Sequence, residues 1–293
     1  MANKEICLGR MKVSQNSRPY LIAEIGINHN GDIQIAKKLL DATFLSEWDV
    51  AKFQKREPEL AVPEEQKSVP RETPWGRMSY LEYKKKIEFG RDEYDAIASY
   101  AEAKPLEWTA SVWDLPSIEF LGKYDLPFLK IPSAMLTNDE LLVAAAKTGK
   151  PLVLSTGMST LAEIDHAVSI LERETDGNYI LLHTNSSYPA QNSELNLNMI
   201  QTLAERYDCL VGYSGHEVEL MPSVIAVAMG ACVVERHVTL DREMWGTDQA
   251  ASVGVPGMLA LRRRIDSVAE MMGSGRKVLT ESELIVRKKL RGC

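Results

Sequence analysis

The chain lacks long hydrophobic runs, and its few cysteines are widely separated. No apolar stretch approaches the roughly 20 residues needed to cross a bilayer, and the charged N-terminal residues do not form a signal peptide. Four cysteines occur in no C-x-x-C spacing: Cys7, Cys209, Cys232 and Cys293. We expect reduced, mostly buried thiols. These absences predict a soluble, cytoplasmic protein without a membrane partner.

Positive charge is also in deficit. The sequence contains 34 Lys and Arg against 41 Asp and Glu, a net charge of −7, which argues against nucleic-acid binding. Two basic runs, 84–86 and 262–264, are typical of solvated helix faces. No glycine-rich nucleotide fingerprint follows the first apolar run, and this disfavours a dinucleotide-binding sheet.

What the 293 residues do contain is a regular alternation of short apolar runs and amphipathic stretches. The runs predict strands at Leu21–Ile25, Val50–Phe53, Glu107–Thr109, Phe128–Ile131, Leu152–Leu154, Ile180–Leu182, Cys209–Val211 and Cys232–Glu235. The stretches predict helices at Ile33–Leu45, Tyr94–Ala103, Asp139–Lys147, Leu161–Glu172, Leu197–Arg206 and Met221–Met229. This pattern favours an α/β fold, a single-domain (β/α)8 TIM barrel over residues 1–275 with a charged tail at 276–293. An open doubly wound sheet is the alternative.

One insertion interrupts the alternation. Residues 55–88 separate the second strand from its helix and include four prolines and three aromatic residues. A loop of this length inside a compact domain is usually functional, often as a lid or a subunit contact.

Two of the five histidines follow apolar runs. His216 ends the segment Gly-Tyr-Ser-Gly-His, and His237 ends Val-Glu-Arg-His. Because parallel barrel strands end at one rim, neutral imidazoles there can bind one divalent metal ion. The alternative is that one or both are packed histidines that hydrogen-bond the backbone.

Polar side chains follow most of the other predicted strands, where a barrel interior should be apolar. Lys52 and Lys130 carry the most weight, because a lysine within a buried strand needs an anionic partner. Lysines and hydroxyls together favour a phosphate or carboxylate ligand, although any single serine could form a turn or cap a helix. The other polar residues after the strands are Glu24, Gln54, Ser111, Ser133, Ser155, Asn185, Ser186, Tyr188 and Ser214.

Seven motifs, taken in order, resemble the sialic acid synthase family over about residues 21–248. They are Ala-Glu-Ile-Gly-Ile-Asn-His-Asn-Gly (23–31), Lys-Phe-Gln (52–54), Lys-Ile-Pro-Ser (130–133), Leu-Ser-Thr-Gly-Met (154–158), Ser-Ser-Tyr-Pro (186–189), Gly-Tyr-Ser-Gly-His (212–216) and Arg-His-Val-Thr-Leu-Asp (236–241). The resemblance implies a TIM-barrel transferase of carbohydrate biosynthesis. Such an enzyme condenses phosphoenolpyruvate with an open-chain aldose, giving a 3-deoxy-2-keto sugar acid and phosphate.

The resemblance also implies roles for individual residues. His216 and His237 would hold Mn²⁺, or Mg²⁺ or Co²⁺ in its place, to polarise the sugar aldehyde. Glu24 would act as an acid, a base or a water-positioning group. Gln54, Tyr188 and Asp248 would face the sugar. Phosphoenolpyruvate would be held by Lys52, Ser111, Lys130, Ser133, Ser155, Ser214 and either Ser186 or the equally suitable Asn185.

Three departures from the family pattern affect these expectations. Met135 stands where the family usually has a carboxylate, and a thioether can neither carry a proton nor accept a strong hydrogen bond. Gly215 stands where the family often has Asp. A glycine at this position would remove a side chain beside the metal and loosen its surroundings. The sequence ends about where a linker to a C-terminal antifreeze-like domain would start, so we expect a short form that lacks that domain.

Two other functions remain open on the sequence. A Schiff-base aldolase would use Lys52 or Lys130 as a nucleophile, but it would leave the two histidines without a role. A phosphoenolpyruvate or sugar-acid sensor, or an inactive partner subunit, would explain Met135 and the missing domain. For an enzyme, a homodimer or homotetramer is expected, with residues 55–88 as a candidate contact.

Overall fold

The computed structural model describes residues 4–291. The strands in this range are β1 (Ile6–Leu8), β2 (Met11–Val13), β3 (Tyr20–Gly26), β4 (Val50–Lys55), β5 (Pro70–Thr73), β6 (Gly76–Ser79), β7 (Glu107–Val112), β8 (Leu129–Ile131), β9 (Leu152–Ser155), β10 (Tyr179–Thr184), β11 (Leu210–Gly215), β12 (Val233–Thr239) and β13 (Val253–Gly254).

The helices connect the strands. They are α1 (Ile33–Leu45), α2 (Pro58–Ala61), α3 (Glu64–Lys67), α4 (Tyr80–Ile87), α5 (Arg91–Glu102), α6 (Leu115–Leu121), α7 (Asp139–Ala146), α8 (Leu161–Thr175), α9 (Met199–Arg206), α10 (Met221–Ala228), α11 (Val255–Met272) and α12 (Glu281–Arg291). Helix α1 has the bounds that the sequence predicts, and the Asp32 side chain caps its first turn.

Eight parallel strands close into a barrel in the order β3-β4-β7-β8-β9-β10-β11-β12, and β12 pairs back onto β3. The predicted (β/α)8 barrel is therefore confirmed, and each predicted strand overlaps one barrel strand. Several strands continue beyond their apolar run, as β12 does to Thr239. They can do so because the polar side chains at their C-terminal ends contact one another inside the barrel.

Side chains alternate between the barrel interior and the helix layer, as the two-residue period of a strand requires. In β3, Tyr20 and Ile22 belong to the interior cluster, whereas Leu21 and Ala23 pack beneath the helices. Glu24 continues the inward series. The same alternation in the other strands produces an apolar lower layer and a polar upper layer within one barrel.

A hairpin covers the N-terminal end of the barrel, whereas the C-terminal end carries the polar side chains. The antiparallel hairpin β1–β2 packs Ile6, Leu8 and Val13 into the interior apolar cluster, together with residues that begin the barrel strands. The N-terminal end of the barrel is thereby closed. The C-terminal rim is left for the polar layer.

Residues 55–88 do not form the long loop that the sequence predicts, because the segment folds into α2, α3, the β5–β6 hairpin and α4. A capping box between Ser79 and Glu82 starts α4. The α4 backbone approaches the loop after β3 so closely that a Cβ on Gly31 would lie 2.7 Å from the Lys86 carbonyl oxygen. The Tyr83 ring contacts Trp245, which follows β12, with ring centroids 5.2 Å apart. The insertion therefore covers part of the C-terminal rim.

Two expectations about individual residues are also wrong. Within the basic runs, Lys84 and Arg262 are only 8% and 3% exposed, so neither run is fully solvated. The buried Arg262 guanidinium donates to the Pro19 carbonyl and pairs with the carboxylates of Asp49 and Asp266. Cys7, Cys209 and Cys232 are free thiols, but only Cys232 is fully buried and Cys7 is exposed. Cys293 lies outside the described residues.

The described part of the C-terminal tail contributes no residue to the hydrophobic core. Helix α12 buries none of its residues, and every described residue from 271 to 291 is exposed. Across residues 4–291, no helix has both the length and the apolar character needed to span a membrane.

Candidate active site

A polar cavity of about 190 Å³ opens at the C-terminal rim of the barrel. This volume is smaller than the ~300 Å³ at which pockets for drug-sized ligands begin, so the cavity suits small polar molecules. Its lining includes twelve of the residues predicted from the sequence: Glu24, Lys52, Gln54, Ser111, Lys130, Ser133, Ser155, Ser186, Tyr188, Ser214, His216 and His237.

Two lysines and two glutamates form the charged floor of this cavity. Lys52 Nζ lies 2.5 Å from Glu24 Oε2 and 3.6 Å from Glu235 Oε2. Lys130 Nζ lies 3.9 Å from Glu235 Oε1. All four side chains are buried, so each charge is compensated by its neighbours rather than by water.

The balance of burial and charge differs between these groups. The pKa of Lys130 is lowered to about 8, chiefly by burial; the Glu235 carboxylate opposes this shift and the nearby Lys52 ammonium group adds to it. Burial alone would raise the pKa of Glu235, but the ammonium groups of Lys130 and Lys52 hold it below its usual value. An anionic ligand placed near Lys130 would favour its charged form.

Hydroxyl groups surround Lys130 on the neighbouring strands. Lys130 Nζ donates to Ser155 Oγ at 2.6 Å, and the Gly157 amide donates to Ser133 Oγ at 3.0 Å. A Cβ on Gly157 would lie 2.2 Å from Ser186 Oγ and 2.8 Å from Ser133 Oγ, so the backbone approaches these hydroxyls as only glycine permits. The arrangement provides donors for the oxygens of one anion.

The two histidines lie on β12 and just beyond β11. Their ring centroids are 5.5 Å apart, and the Tyr188 hydroxyl lies 2.9 Å from His216 Nε2. His216 Nδ1 lies 2.5 Å from the Asn185 carbonyl oxygen, to which it donates. Burial, followed by the charge of His237, lowers the pKa of His216 to about 3. The neutral ring therefore presents the Nε2 lone pair to the cavity.

These donors fit a divalent metal ion, although the set is incomplete on its own. His237 Nδ1 is buried without a hydrogen-bond partner within residues 4–291, and it lies 3.8 Å from Asp248 Oδ2. A backbone carbonyl that fixes one imidazole nitrogen and directs the other into the site, as Asn185 does for His216, is typical of metal-ligating histidines. In the same range, no group of three or more His, Cys, Asp and Glu side chains is assembled as a ligand set.

Two predicted site residues do not line the cavity. The Asn185 side chain donates to the Glu194 carbonyl and accepts from the Ser187 amide, so the Asn185 backbone, not its amide group, contacts the site. Asp248 lies at the rim beside His237. Of the alternative pair, Ser186 is the residue at the cavity.

The structure also locates the departures from the family pattern. Met135 packs against the main hydrophobic core and is absent from the cavity lining, so its thioether does not replace a cavity group here. The space beside Gly215 is filled by the Glu217 carboxylate, whose oxygens would lie 2.6 and 2.7 Å from a Cβ at position 215.

Glu217 in turn holds Arg236, a fully buried residue that directly precedes His237 in the chain. Glu217 Oε1 lies 2.9 Å from Arg236 Nη1, and Tyr213 donates to Glu217 Oε2 at 2.8 Å. Arg236 also donates to the Glu219 carbonyl and to Ser223 Oγ. This network ties the segment after β11 to β12.

Six lining residues are not among the site residues predicted from the sequence: Trp113, Pro132, Ala134, Met158, Thr184 and Glu235. Glu235 shares the inward face of β12 with His237, and in the sequence it is likewise a polar residue at the end of the last apolar run. Trp113 and Met158 also line the cavity, and Met158 does so with a backbone φ of 58°. An apolar side chain in a loop carries no comparable signal in the sequence.

Comparisons with known proteins agree with this geometry. A family model described as the NeuB family matches residues 39–277. The chain is 37% identical over 290 residues to the N-acetylneuraminate-9-phosphate synthase of Mus musculus, covering 98% of this chain and 80% of that protein. It is 36% identical over 278 residues to the N,N'-diacetyllegionaminic acid synthase of Campylobacter jejuni, covering 92% and 83%.

A solved structure agrees as well. The N-acetylneuraminic acid (sialic acid) synthetase of Leptospira borgpetersenii, in complex with citrate, superposes with a TM-score of 0.86 at 31% identity. The alignment covers 99% of this chain and 98% of that one.

Proposed function

This chain belongs to the NeuB family of sialic-acid-type synthases, and we propose that it condenses phosphoenolpyruvate with an open-chain aldose to form a nonulosonic or octulosonic acid. The observation that supports the proposal most is that a lysine–serine anion site and the two histidines His216 and His237 line one cavity.

Phosphoenolpyruvate would occupy the lysine side of the cavity. Lys130 and Ser155 would bind its phosphate together with Ser133, Ser186 and the Gly157 amide. Lys52, with Ser111 and Ser214 nearby, would compensate the carboxylate. This placement would compensate the two ammonium groups more fully than the carboxylates of Glu24 and Glu235 do alone.

The proposed reaction forms one carbon–carbon bond and breaks one carbon–oxygen bond. C3 of phosphoenolpyruvate bonds to the aldehyde carbon, water adds at C2, and phosphate leaves from C2. Water supplies the new oxygen, and its protons finish on the new hydroxyl and on phosphate. Glu24, held by Lys52 and by a 2.7 Å bond from Gln54 Nε2, would position that water or transfer its proton.

His216 and His237 would hold Mn²⁺, or a similar divalent ion, at the aldehyde side of the cavity. When bound, the ion would act as a Lewis acid toward the aldehyde oxygen. Tyr188 and Asp248 flank the two rings and would contact the sugar hydroxyls.

Phosphate release from phosphoenolpyruvate tests this proposal. We expect release that needs both an aldose and Mn²⁺, across a panel headed by N-acetylmannosamine, mannose and arabinose derivatives. His216→Ala and His237→Ala should reduce it by about 10²-fold or more. The exposed His166, on α8, provides the control His166→Ala. Absence of release with every aldose in the presence of metal would contradict the proposal.

A Schiff-base aldolase is the competing chemistry, because the lowered pKa of Lys130 would favour a nucleophilic amine. Under that mechanism, borohydride would trap pyruvate covalently on the protein and chelators would have no effect. We expect no trapping and complete loss of phosphate release on chelation.

A further inference from the structure

Lys84 of α4 is a buried cation that no acidic group pairs with directly. It is 8% exposed, and within residues 4–291 no hydrogen bond or ion pair reaches its Nζ. The Lys84 ammonium group lies over the Tyr80 and Tyr83 rings, at 5.2 and 5.4 Å from their centroids. Lysines are rarely buried without a partner, so this position points to an absent anion.

Two further donor groups, from Arg56 and Tyr83, lie near Lys84. Arg56 is 5% exposed and close enough to lower the pKa of Lys84, after the effect of burial. Its Nε makes no hydrogen bond to any described residue. The buried Tyr83 hydroxyl also has no hydrogen-bond partner in the described part of the chain. The Lys84 ammonium group and the Tyr83 hydroxyl therefore lie near Arg56 without an acceptor of their own in the described part of the chain.

The two nearby carboxylates, those of Glu88 and Asp248, contact groups other than Lys84. Glu88 lies 2.8 Å from Lys55 Nζ and 3.4 Å from Arg56 Nε. Asp248 accepts from the Thr247 hydroxyl at 2.7 Å and lies 3.8 Å from His237. Neither is within ion-pair distance of Lys84, so the region keeps an excess of positive charge.

This region adjoins the sugar side of the cavity. Arg56 hydrogen-bonds the Gln54 side chain and lies over the Trp113 ring at 4.7 Å, and both residues line the cavity. In the barrel order, β3 and β12, which the insertion covers, lie across from β9 and β8, which carry Ser155 and Lys130. An anion at Lys84 would therefore be distinct from the phosphate of phosphoenolpyruvate.

We propose that Lys84 and Arg56 bind a phosphate group at the end of the aldose remote from its aldehyde, so that the preferred substrate is a phosphorylated aldose. This inference rests on the proposed condensation. Sequence similarity does not decide it, since the identities are 37% to a 9-phosphate synthase and 36% to a diacetyllegionaminic acid synthase.

Matched pairs of free and terminally phosphorylated aldoses test the inference. N-acetylmannosamine, mannose and arabinose would each be compared with the corresponding 6- or 5-phosphate, at saturating phosphoenolpyruvate and Mn²⁺. We expect kcat/KM to favour one phosphorylated aldose by about 10-fold or more over its free form. Lys84→Met should remove that preference and leave kcat/KM for the free form within about twofold.

Lys86→Met is the matched control, because Lys86 is exposed on the same helix and should leave both values unchanged. Thermal unfolding of each variant checks that the fold is retained. A wild-type enzyme without preference for any phosphate form would overturn the inference, as would a Lys84→Met variant that loses activity equally on both forms.

A failure of the condensation itself gives a different result. In that case no aldose supports phosphate release, and calorimetric titration of the same sugar pairs, with phosphoenolpyruvate present, decides the role of Lys84. Tighter binding of a phosphorylated aldose that Lys84→Met abolishes supports the inference. Binding of no phosphorylated aldose overturns it.

Discussion

Lys130 points into the barrel interior, where the residue one layer below it is aromatic. Phe128, two residues earlier, packs in the apolar interior, whereas Lys130 reaches Ser155 and Glu235 in the polar layer. The cost of burial falls on the charged form of the lysine, which explains its lowered pKa. The side chain is therefore prepared to gain from an anionic substrate.

The pH dependence of kcat/KM for phosphoenolpyruvate should report this lysine. Because the pKa of Lys130 is lowered to about 8, the charged form is present below that pH and is lost as the pH rises through it. We expect kcat/KM to fall above pH 8. In Lys130→Arg, which stays protonated, the fall should move to higher pH, and Lys130→Met should lose about 10²-fold at pH 7. An unchanged profile in Lys130→Arg would show that another group titrates.

At Gly157 the site has no room for even one additional carbon atom. In Gly157→Ala the new methyl group would collide with Ser186 Oγ and Ser133 Oγ. We expect KM for phosphoenolpyruvate to rise by about 10-fold or more, because displaced hydroxyls no longer meet the phosphate. Gly254→Ala, whose nearest neighbour would be 4.0 Å away, should leave KM unchanged in the same assay.

At the scale of elements, the barrel strands carry their polar side chains into the rim in a fixed register. Ser214 of β11 aligns with Glu235 of β12, and His237 of β12 aligns with Glu24 of β3. Adjacent strands therefore contribute neighbouring groups from distant parts of the sequence. Beyond the ladder, β12 is fastened to the segment after β11 by Arg236 and Glu217.

Breaking that pair should destabilise the protein measurably. Glu217→Gln leaves Arg236 buried without its counter-charge, and we expect the free energy of unfolding to fall by about 3 kcal/mol. Chemical denaturation with urea provides the measurement. Glu219→Gln is the control, since the Glu219 side chain is exposed and only its carbonyl contacts Arg236. A loss below about 1 kcal/mol in Glu217→Gln would place the stabilising role elsewhere.

The elements of residues 55–88 show where the sequence-based prediction failed. The prolines and aromatic residues of this segment are typical of a loop, yet Pro58 begins α2 and the capping box at Ser79 begins α4. Lys84 belongs to a run of three lysines, which predicts exposure. Its burial follows only from the way α4 packs against the rim, through contacts with residues far away in the sequence.

At the scale of the whole molecule, the barrel buries a large core, whereas the described residues of the C-terminal tail are all exposed. Because no described residue after 270 is buried, a chain truncated after residue 275 should fold as the full-length protein does. We expect its Tm to stay within about 2 °C of the full chain and its phosphate release to be unchanged. A lower Tm at equal protein concentration would mean that the tail packs against another subunit.

The sequence by itself determined the barrel and most of its site. Strand and helix periods are local properties, and side chains at the ends of parallel strands must meet at one rim, so twelve cavity residues could be named without a structure. Only the tertiary structure decided that Asn185 and Met135 turn away from the cavity, that Glu217 fills the space beside Gly215, and that Lys84 is buried. These outcomes depend on packing between distant segments, which no local pattern specifies.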